Sequence, residues 1–298
     1  VFSQGINQSA AGVDNASAIL QCHLALGQVG RAGAGAFSMT GQPNAMGGRE
    51  VGGLANQLAA HMDILRPEHR DLVSRFWQTD AVAERPGLKA VDMFEAMASG
   101  KIRFVWIIAT NPLVSLPDAN RVRDALVACD CVVVSDCVDD TDTLRLADIR
   151  LPAAGWGEKD GTVTNSERRI SRQRAFLPLP GEAKPDWWAL SQVAKYLGHA
   201  QAFDYSNSAA IFREHAALSA FENNGSRDFD IGALATCSDA DYDALMPVQW
   251  PVPIAQAEGI ARLFSDGHFF TPTGRAQFLD AHPQAAKTSS PSLPFLLN

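Results

Sequence analysis

The chain has 298 residues, 46% of them hydrophobic and 19% charged, which is enough to bury one large core or two smaller ones. Its formal net charge of −8 at pH 7, with no long run of Lys or Arg, argues against nucleic acid or an anionic membrane as a partner. No apolar stretch approaches the length of a membrane span, and no signal peptide is visible at the start. The chain opens at Val1 and closes on an apolar segment, residues 293–298, that reads as the opening of a strand. Both ends therefore read as cuts in a longer protein. The five cysteines (Cys22, Cys129, Cys131, Cys137 and Cys237) are odd in number and include no C-x-x-C pair. This predicts free thiols in a reducing compartment, with no iron–sulfur cluster or structural zinc held by this segment alone. Cys129 and Cys131 flank a strand start and read as packing residues.

Asp14 reads as the N-cap of a helix that carries Ile19, Leu20, His23 and Leu24 and ends at Gly27. His23 lies among apolar neighbours and reads as a packed histidine, not a ligand. Residues 27–48 form a glycine-rich connector. Within residues 40–53 stand five glycines and a proline, so the backbone there must turn tightly and lie close to something. Behind them Val51, Leu54, Ala55, Leu58, Ala59 and Met62 follow i, i+3, i+4 spacing, which predicts an amphipathic helix with Arg49 in its first turn. A cation in a first turn opposes the helix dipole by about 0.3–1 kcal/mol unless an anion joins it. Terminal N–H groups and a guanidinium fork aimed at one spot would make a small-oxyanion site. An ordinary ion pair from Arg49 to Glu50 or a neighbour is the competing reading, and the residues alone do not choose between them.

Residues 63–90, with Pro67, Pro86, Gly87 and many charges, read as surface helix and loop. From about residue 90 the rhythm becomes α/β. A helix over 91–99 precedes a strand over 102–109, apolar on both faces and broken at Asn111-Pro112. Asp118 caps a helix through Leu126, and a buried strand over 131–134 breaks at Ser135-Asp136. A short helix starts at Asp140 or Thr141, and a third strand over 148–151 ends at Pro152. Apolar strands alternating with short helices predict an α/β fold with a doubly wound, mostly parallel sheet and flanking helices.

Ligands bind such sheets beyond the carboxyl ends of the strands. There stand Thr110-Asn111-Pro112, Ser135-Asp136-Cys137 and the polar, glycine-containing stretch 156–165. Loop polarity explains any one of them, but three in succession favour a nucleotide-like ligand. No G-x-G-x-x-G or Walker pattern accompanies them, so ordinary NAD or P-loop chemistry lacks support. Arg168, Arg169, Arg172 and Arg174 form a basic cluster that suits either phosphates or a salt-bridged strand face. Lys184-Pro185-Asp186 starts a helix with Trp188, Leu190, Val193 and Leu197, where Trp187 and Trp188 read as core and rim aromatics. Beyond residue 200 the chain is mixed and acidic, with short helices such as 211–218, a β-hairpin over 264–278, and a Pro/Ser-rich linker over 283–292.

Three sets of residues carry a resemblance over nearly the whole chain. They are Gly5-Ile6-Asn7-Gln8-Ser9 with Gly41-Gln42-Pro43-Asn44-Ala45-Met46-Gly47-Gly48-Arg49-Glu50-Val51-Gly52-Gly53, then Glu158-Lys159-Asp160-Gly161-Thr162-Val163-Thr164-Asn165, then Phe269-Phe270-Thr271-Pro272-Thr273-Gly274-Arg275. On these the chain resembles the molybdopterin oxidoreductases of the dimethyl-sulfoxide-reductase type, and among them the large catalytic subunits of assimilatory nitrate reductases. The stretch 158–169 marks the superfamily, whereas the string 42–53 marks the nitrate-reducing branch.

The resemblance implies molybdenum held by two molybdopterin guanine dinucleotides, a 4Fe–4S cluster, and reduction of nitrate to nitrite. It implies a cytoplasmic enzyme fed by ferredoxin, flavodoxin or an NADH-linked partner. It places Arg49 near the metal as the residue that guides nitrate. It places Gln42, Pro43, Asn44, Thr110, Asn111, Pro112, Ser135, Asp136, Glu158, Lys159, Asp160, Thr162 and Asn165 along one dinucleotide. The implied organisation is the tail of a preceding α/β lobe (1–40), a dinucleotide-binding domain (41–200), a smaller region packing towards the iron–sulfur domain (201–282), and a linker into a C-terminal domain (283–298). The family's N-terminal cysteine cluster and its upstream cysteine ligand to molybdenum have no counterpart in these residues. This stretch alone is therefore expected to bind no cofactor and to lack turnover. Formate dehydrogenases of the same superfamily share the 158–169 stretch and form the nearest alternative, and a non-catalytic nucleotide-binding domain is another.

Overall fold

Apolar β-branched runs form the parallel sheet, and three of the described helices start at a side-chain cap, Asp118, Asn207 or Ser238. The computed structural model describes residues 1–284 and Ser292. Five helices come first: α1 (Gln4–Asn7), α2 (Gly12–Ala25), α3 (Ala45–Glu50), α4 (Pro67–Trp77) and α5 (Ala90–Ala98). Strand β1 (Phe104–Ile108), helices α6 (Pro112–Ser115) and α7 (Ala119–Ala128), and strands β2 (Cys131–Asp136) and β3 (Ile149–Pro152) follow. Then come β4 (Gly161–Thr164), β5 (Arg169–Gln173), α8 (Asp186–Ala194), α9 (Ser208–Ala220), α10 (Asp239–Ala244) and β6 (Val248–Gln249).

The expected α/β class holds, as a three-stranded parallel sheet in the order β1-β2-β3 with a small antiparallel sheet β4-β5-β6 beside it. Alternate residues of β1 and β2 (Val105, Ile107, Val132, Val134) pack on Phe94 and Met97 of α5 and on Val122 and Leu126 of α7. Asp118 starts α7 by accepting the Arg121 N–H, as its position predicts. The opposite sheet face is more open, with Phe104 57% and Ile149 48% exposed. A second core joins distant segments: Met62, Leu72 and Val73 meet Ile170 of β5, Phe212 of α9, and Phe229, Ile231, Tyr242 and Trp250.

Helix α2 begins at Gly12, with Asp14 in its first turn instead of at the cap, and Gly27 follows its end at φ +61°. The connector that follows returns beside the N-terminus, where Ser3 Oγ donates to the Met39 carbonyl (2.6 Å).

Two further expectations fail. The predicted helix over 51–62 does not form, and the helix here is α3, which ends where that one was to begin. Gly52 takes φ +72°, a conformation that stops a right-handed helix. The chain then folds back, so that the Ala60 N–H bonds the Glu50 carbonyl (2.7 Å). Ala59 and Met62 are buried, while Val51 and Leu54 face solvent, so the periodic apolar residues do not share one face. Residues 264–278 likewise form turns without strands, held by bonds such as Phe269 N–H to Gly274 O (3.0 Å) and by stacked Phe264 and Phe269 rings. The predicted linker lies mostly outside the described residues.

A Cβ on Gly52 would stand 2.6 Å from both Ala59 N and Leu58 C, on top of the unfavourable φ. Gly52→Ala is expected to lower stability by about 1–3 kcal/mol. Gly48 sits within α3 with no atom near its missing Cβ, so Gly48→Ala is expected to be neutral or stabilising by up to about 1 kcal/mol. Thermal unfolding of the two variants side by side checks this pair.

Candidate functional site

Helix α3 divides two neighbouring charged residues between solvent and core. Arg49 is exposed and lies in the last turn of the helix, not in a first turn. The helix dipole therefore favours its charge, and the expected cluster of helix N-terminal N–H groups around it does not exist. Among the described residues its guanidinium makes no hydrogen bond or ion pair. Glu50 points the other way and is 4% exposed. Its Oε1 accepts from Trp250 Nε1 (2.5 Å) and its Oε2 from Thr164 Oγ1 (2.8 Å). The competing reading, an Arg49–Glu50 ion pair, is thereby ruled out.

Burial drives the Glu50 carboxyl up from its ordinary 4.5 to about 7. The Thr164 and Trp250 donors and nearby His61 oppose that rise, and Asp228 adds to it. His61 holds Asp228 through Nδ1 (3.0 Å) and meets the Trp250 ring edge-on at 5.5 Å. Under α3 lies a cavity of about 80 Å³ whose lining includes Asn44, Glu50, Thr162, Thr164 and His215.

Asn44 ties the start of α3 to β4, with its Oδ1 accepting the Thr164 N–H (2.8 Å). Gly47 permits this, since a Cβ there would lie 2.1 Å from that same oxygen. Gln42 is exposed and accepts from Gln4 Nε2 (2.8 Å), and Pro43 beside it is exposed. Thr162 lies on β4 and faces the cavity, so part of the stretch expected as loop is strand. Asn165 builds the β4–β5 turn, its Oδ1 accepting from the N–H groups of Glu167 and Arg169 (both 3.0 Å).

The second group gathers at the carboxyl ends of the parallel strands. Ala109 N–H bonds Ser135 O and Ala153 N–H bonds Asp136 O, each at 2.9 Å, which brings the three ends side by side. Thr110 is exposed and Asp136 half-buried, with one Asp136 carboxylate oxygen accepting the Val138 N–H (3.2 Å). Asn111, Pro112 and Ser135 shape the rim from inside. Asn111 Oδ1 accepts from Thr143 Oγ1 (2.6 Å), Pro112 opens α6, and buried Ser135 accepts from Trp106 Nε1 (2.7 Å).

Glu158, Lys159 and Asp160 bridge the two groups, each engaged within the protein. Glu158 accepts the Gly155 N–H (2.7 Å), Lys159 pairs with Asp186 (3.1 Å), and Asp160 bonds both Arg172 and Ser208 (2.6 Å each).

The basic cluster resolves as structural. The Arg172 side chain is 1% exposed and stacks 3.8 Å from the Tyr242 ring centroid. Arg168 bonds the Trp250 and Ala261 carbonyls, and Arg174 bonds the Asp243 carbonyl. Sequence reading missed Trp250, His61, Asp228 and His215, because their partners lie far along the chain and no local spacing signals them. Among the described residues, no three or more His, Cys, Asp or Glu side chains are grouped to hold a metal ion. No described helix is long and apolar enough to cross a membrane.

The family model for molybdopterin oxidoreductases matches residues 1–196. The chain belongs to the molybdopterin oxidoreductases. As a member, it is 52% identical over 300 residues to a nitrate reductase of Shewanella frigidimarina, covering 99% of the chain and 32% of that protein. To a nitrate reductase of Klebsiella oxytoca it is 56% identical over 257 residues, covering 86% of the chain and 30% of that protein. An F420-dependent formate dehydrogenase alpha subunit of Methanocaldococcus jannaschii is more distant, 36% identical over 215 residues, covering 72% of the chain and 31% of that protein. The chain thus spans about a third of the length of the relatives it matches.

Membership implies a molybdenum-bearing pterin, and the residues at the sheet end suit the nucleotide portion of one. The Asp136 carboxylate only accepts hydrogen bonds, so it matches ribose hydroxyls or the N–H edge of guanine and would repel a phosphate. Thr110 adds an exposed hydroxyl next to it.

Proposed function

We propose that the longer protein is the catalytic subunit of an assimilatory nitrate reductase, and that this chain supplies its nitrate-guiding residue and one nucleotide cradle. The observation that carries the reading is the exposed Arg49 guanidinium, unpaired among the described residues, with its neighbouring carboxylate withdrawn into the core. Nitrate is a planar monoanion, and a guanidinium fork can meet two of its oxygens with parallel N–H···O bonds. The C-terminal end of the helix dipole favours that charge, and among the described residues no carboxylate pairs with it. The identity to nitrate reductases supports nitrate over formate.

Thr110 and Asp136 hold the base and ribose of one dinucleotide, while Asn111, Pro112 and Ser135 fix the loops that present them. Asn44 and Gly47 lock α3 to β4, which sets the direction of Arg49. When bound, the molybdenum cofactor would supply the two electrons and the acceptor for the oxygen atom. A 4Fe–4S cluster and a cytoplasmic ferredoxin, flavodoxin or NADH-linked partner would replenish those electrons in the longer protein. Arg49 also stabilises the charge that shifts as the N–O bond breaks.

The full-length protein, assayed with an artificial electron carrier, is expected to turn over nitrate and not formate. Formate oxidation without nitrate reduction would overturn the proposal and favour the formate dehydrogenase reading.

A further inference from the structure

Helix α3 is too short to hold its own shape. It has six residues, two of them glycine, and no side-chain hydrogen bond caps its start. A helix of that length is not stable in water without outside contacts. Arg49 supplies none, since its guanidinium makes no hydrogen bond or ion pair among the described residues. The direction in which Arg49 points is therefore set by its backbone, and so by whatever holds the residues beside it.

Two residues outside the helix do the holding. Thr164, the last residue of β4, takes both ends of α3. Its backbone N–H donates to Asn44 Oδ1 before the helix starts (2.8 Å), and its hydroxyl donates to Glu50 Oε2 where the helix ends (2.8 Å). The other Glu50 oxygen accepts from Trp250 Nε1 (2.5 Å). Trp250 is itself fixed, because its backbone N–H bonds the Arg168 carbonyl (3.0 Å) and its ring meets Phe229 edge-on at 5.3 Å. Only Gly47 and Glu50 of α3 are buried, so Glu50 is the one buried side chain on the helix. Two directional bonds to two separate segments fix the helix end in rotation as well as in place, which non-directional apolar contact does not.

We propose that Glu50 is a positioning residue for anion binding: held by Thr164 and Trp250, it fixes the end of α3 so that the adjacent Arg49 fork meets nitrate at a set angle. This rests on the nitrate reading of Arg49. A displacement of about 1 Å in a group that orients a reactant can cost about a hundredfold in rate, so slight slack in α3 is enough to be measured. The Glu50 carbonyl also accepts the Ala60 N–H (2.7 Å), a tie that survives any change of the side chain. Losing the carboxyl group thus loosens the helix end without releasing the segment.

The test uses the full-length protein with its cofactors and compares wild type, Glu50→Gln, Glu50→Ala and Thr164→Val, each also combined with Arg49→Ala. The readings are kcat/KM for nitrate, the thermal midpoint, and amide hydrogen exchange over residues 45–52. Glu50→Ala is expected to lose about tenfold to a hundredfold in kcat/KM. Glu50→Gln should stay within about threefold of wild type, because its amide still bonds both Trp250 and the Thr164 hydroxyl. In the Arg49→Ala background the loss from Glu50→Ala should vanish, since no fork is left to position. Exchange over α3 should quicken in Glu50→Ala and keep its wild-type rate in Glu50→Gln.

A loss of the same size with and without Arg49 marks a general structural effect and overturns the proposal. Wild-type kinetics or unchanged exchange in Glu50→Ala overturns it as well. If wild type fails to reduce nitrate, the nitrate reading falls by itself, and the exchange rates still decide whether Glu50 fixes the helix. Should Glu50→Ala fail to fold, Thr164→Val carries the same comparisons. It keeps the side-chain size and the Asn44 bond, removes one of the two bonds to Glu50, and should lose about threefold to tenfold.

Discussion

Glu50→Gln is expected to make the protein more stable than wild type above neutral pH, by about 3 kcal/mol, and to leave it near wild-type stability below about pH 4.5. The carboxyl group titrates near 7 in the folded protein and near 4.5 when unfolded. Between those values the native chain holds a proton that the unfolded chain has released, so stability falls as pH rises through the window. Below it both states are protonated and the full stabilisation is present. Above it the folded protein carries a buried carboxylate that Trp250 and Thr164 only partly satisfy. Glutamine keeps the size of the side chain and an acceptor for Trp250 Nε1, and the Thr164 hydroxyl can reverse to accept from the amide. Unfolding midpoints of the two proteins across about pH 4–9 should diverge as pH rises. A difference that is the same at every pH would show that Glu50 is not held neutral by its surroundings.

Much of the α/β half of the molecule is legible in the sequence because its signals are local. The apolar runs expected as strands over 102–109 and 131–134 became β1 and the first part of β2. Strand β2 continues through Ser135 and Asp136, where a break was expected, and Asp118 marked the start of α7. The segment after Arg49 misled because i, i+3, i+4 spacing is a necessary condition for a helix and not a sufficient one. Gly52 at φ +72° ends α3, and Ala59 and Met62 are drawn into a core with residues 170–252 that no local window contains. The same distance hid the site's deeper half, since Glu50 meets Trp250 two hundred positions along the chain. The string around Arg49 did not show its surroundings either. That Glu50 does not pair with it follows from the bonds Glu50 makes to Trp250 and Thr164, which no local pattern signals. Glu158 and Asn165 show the converse case, in which loop polarity serves the loop itself. Glu158 caps a helical turn and Asn165 closes a hairpin, roles that glutamate three residues after a turn glycine and asparagine in a tight turn commonly fill.

Arg49→Ala in the full-length protein is expected to remove on the order of 2–4 kcal/mol of transition-state stabilisation for nitrate. Because Arg49 is exposed and makes no side-chain bond among the described residues, the substitution should change stability by no more than about 0.5 kcal/mol. A loss of activity would then report on the anion and not on the fold. Arg49→Lys keeps the charge and loses the planar fork, so it should fall between wild type and alanine. The most direct measurement is therefore kcat/KM for nitrate in wild type and Arg49→Ala, with the thermal midpoint of each. A fall of about thirtyfold to a thousandfold at an unchanged midpoint is the predicted result. Nitrate kinetics equal to wild type in Arg49→Ala would contradict the assignment of Arg49 as the residue that receives nitrate.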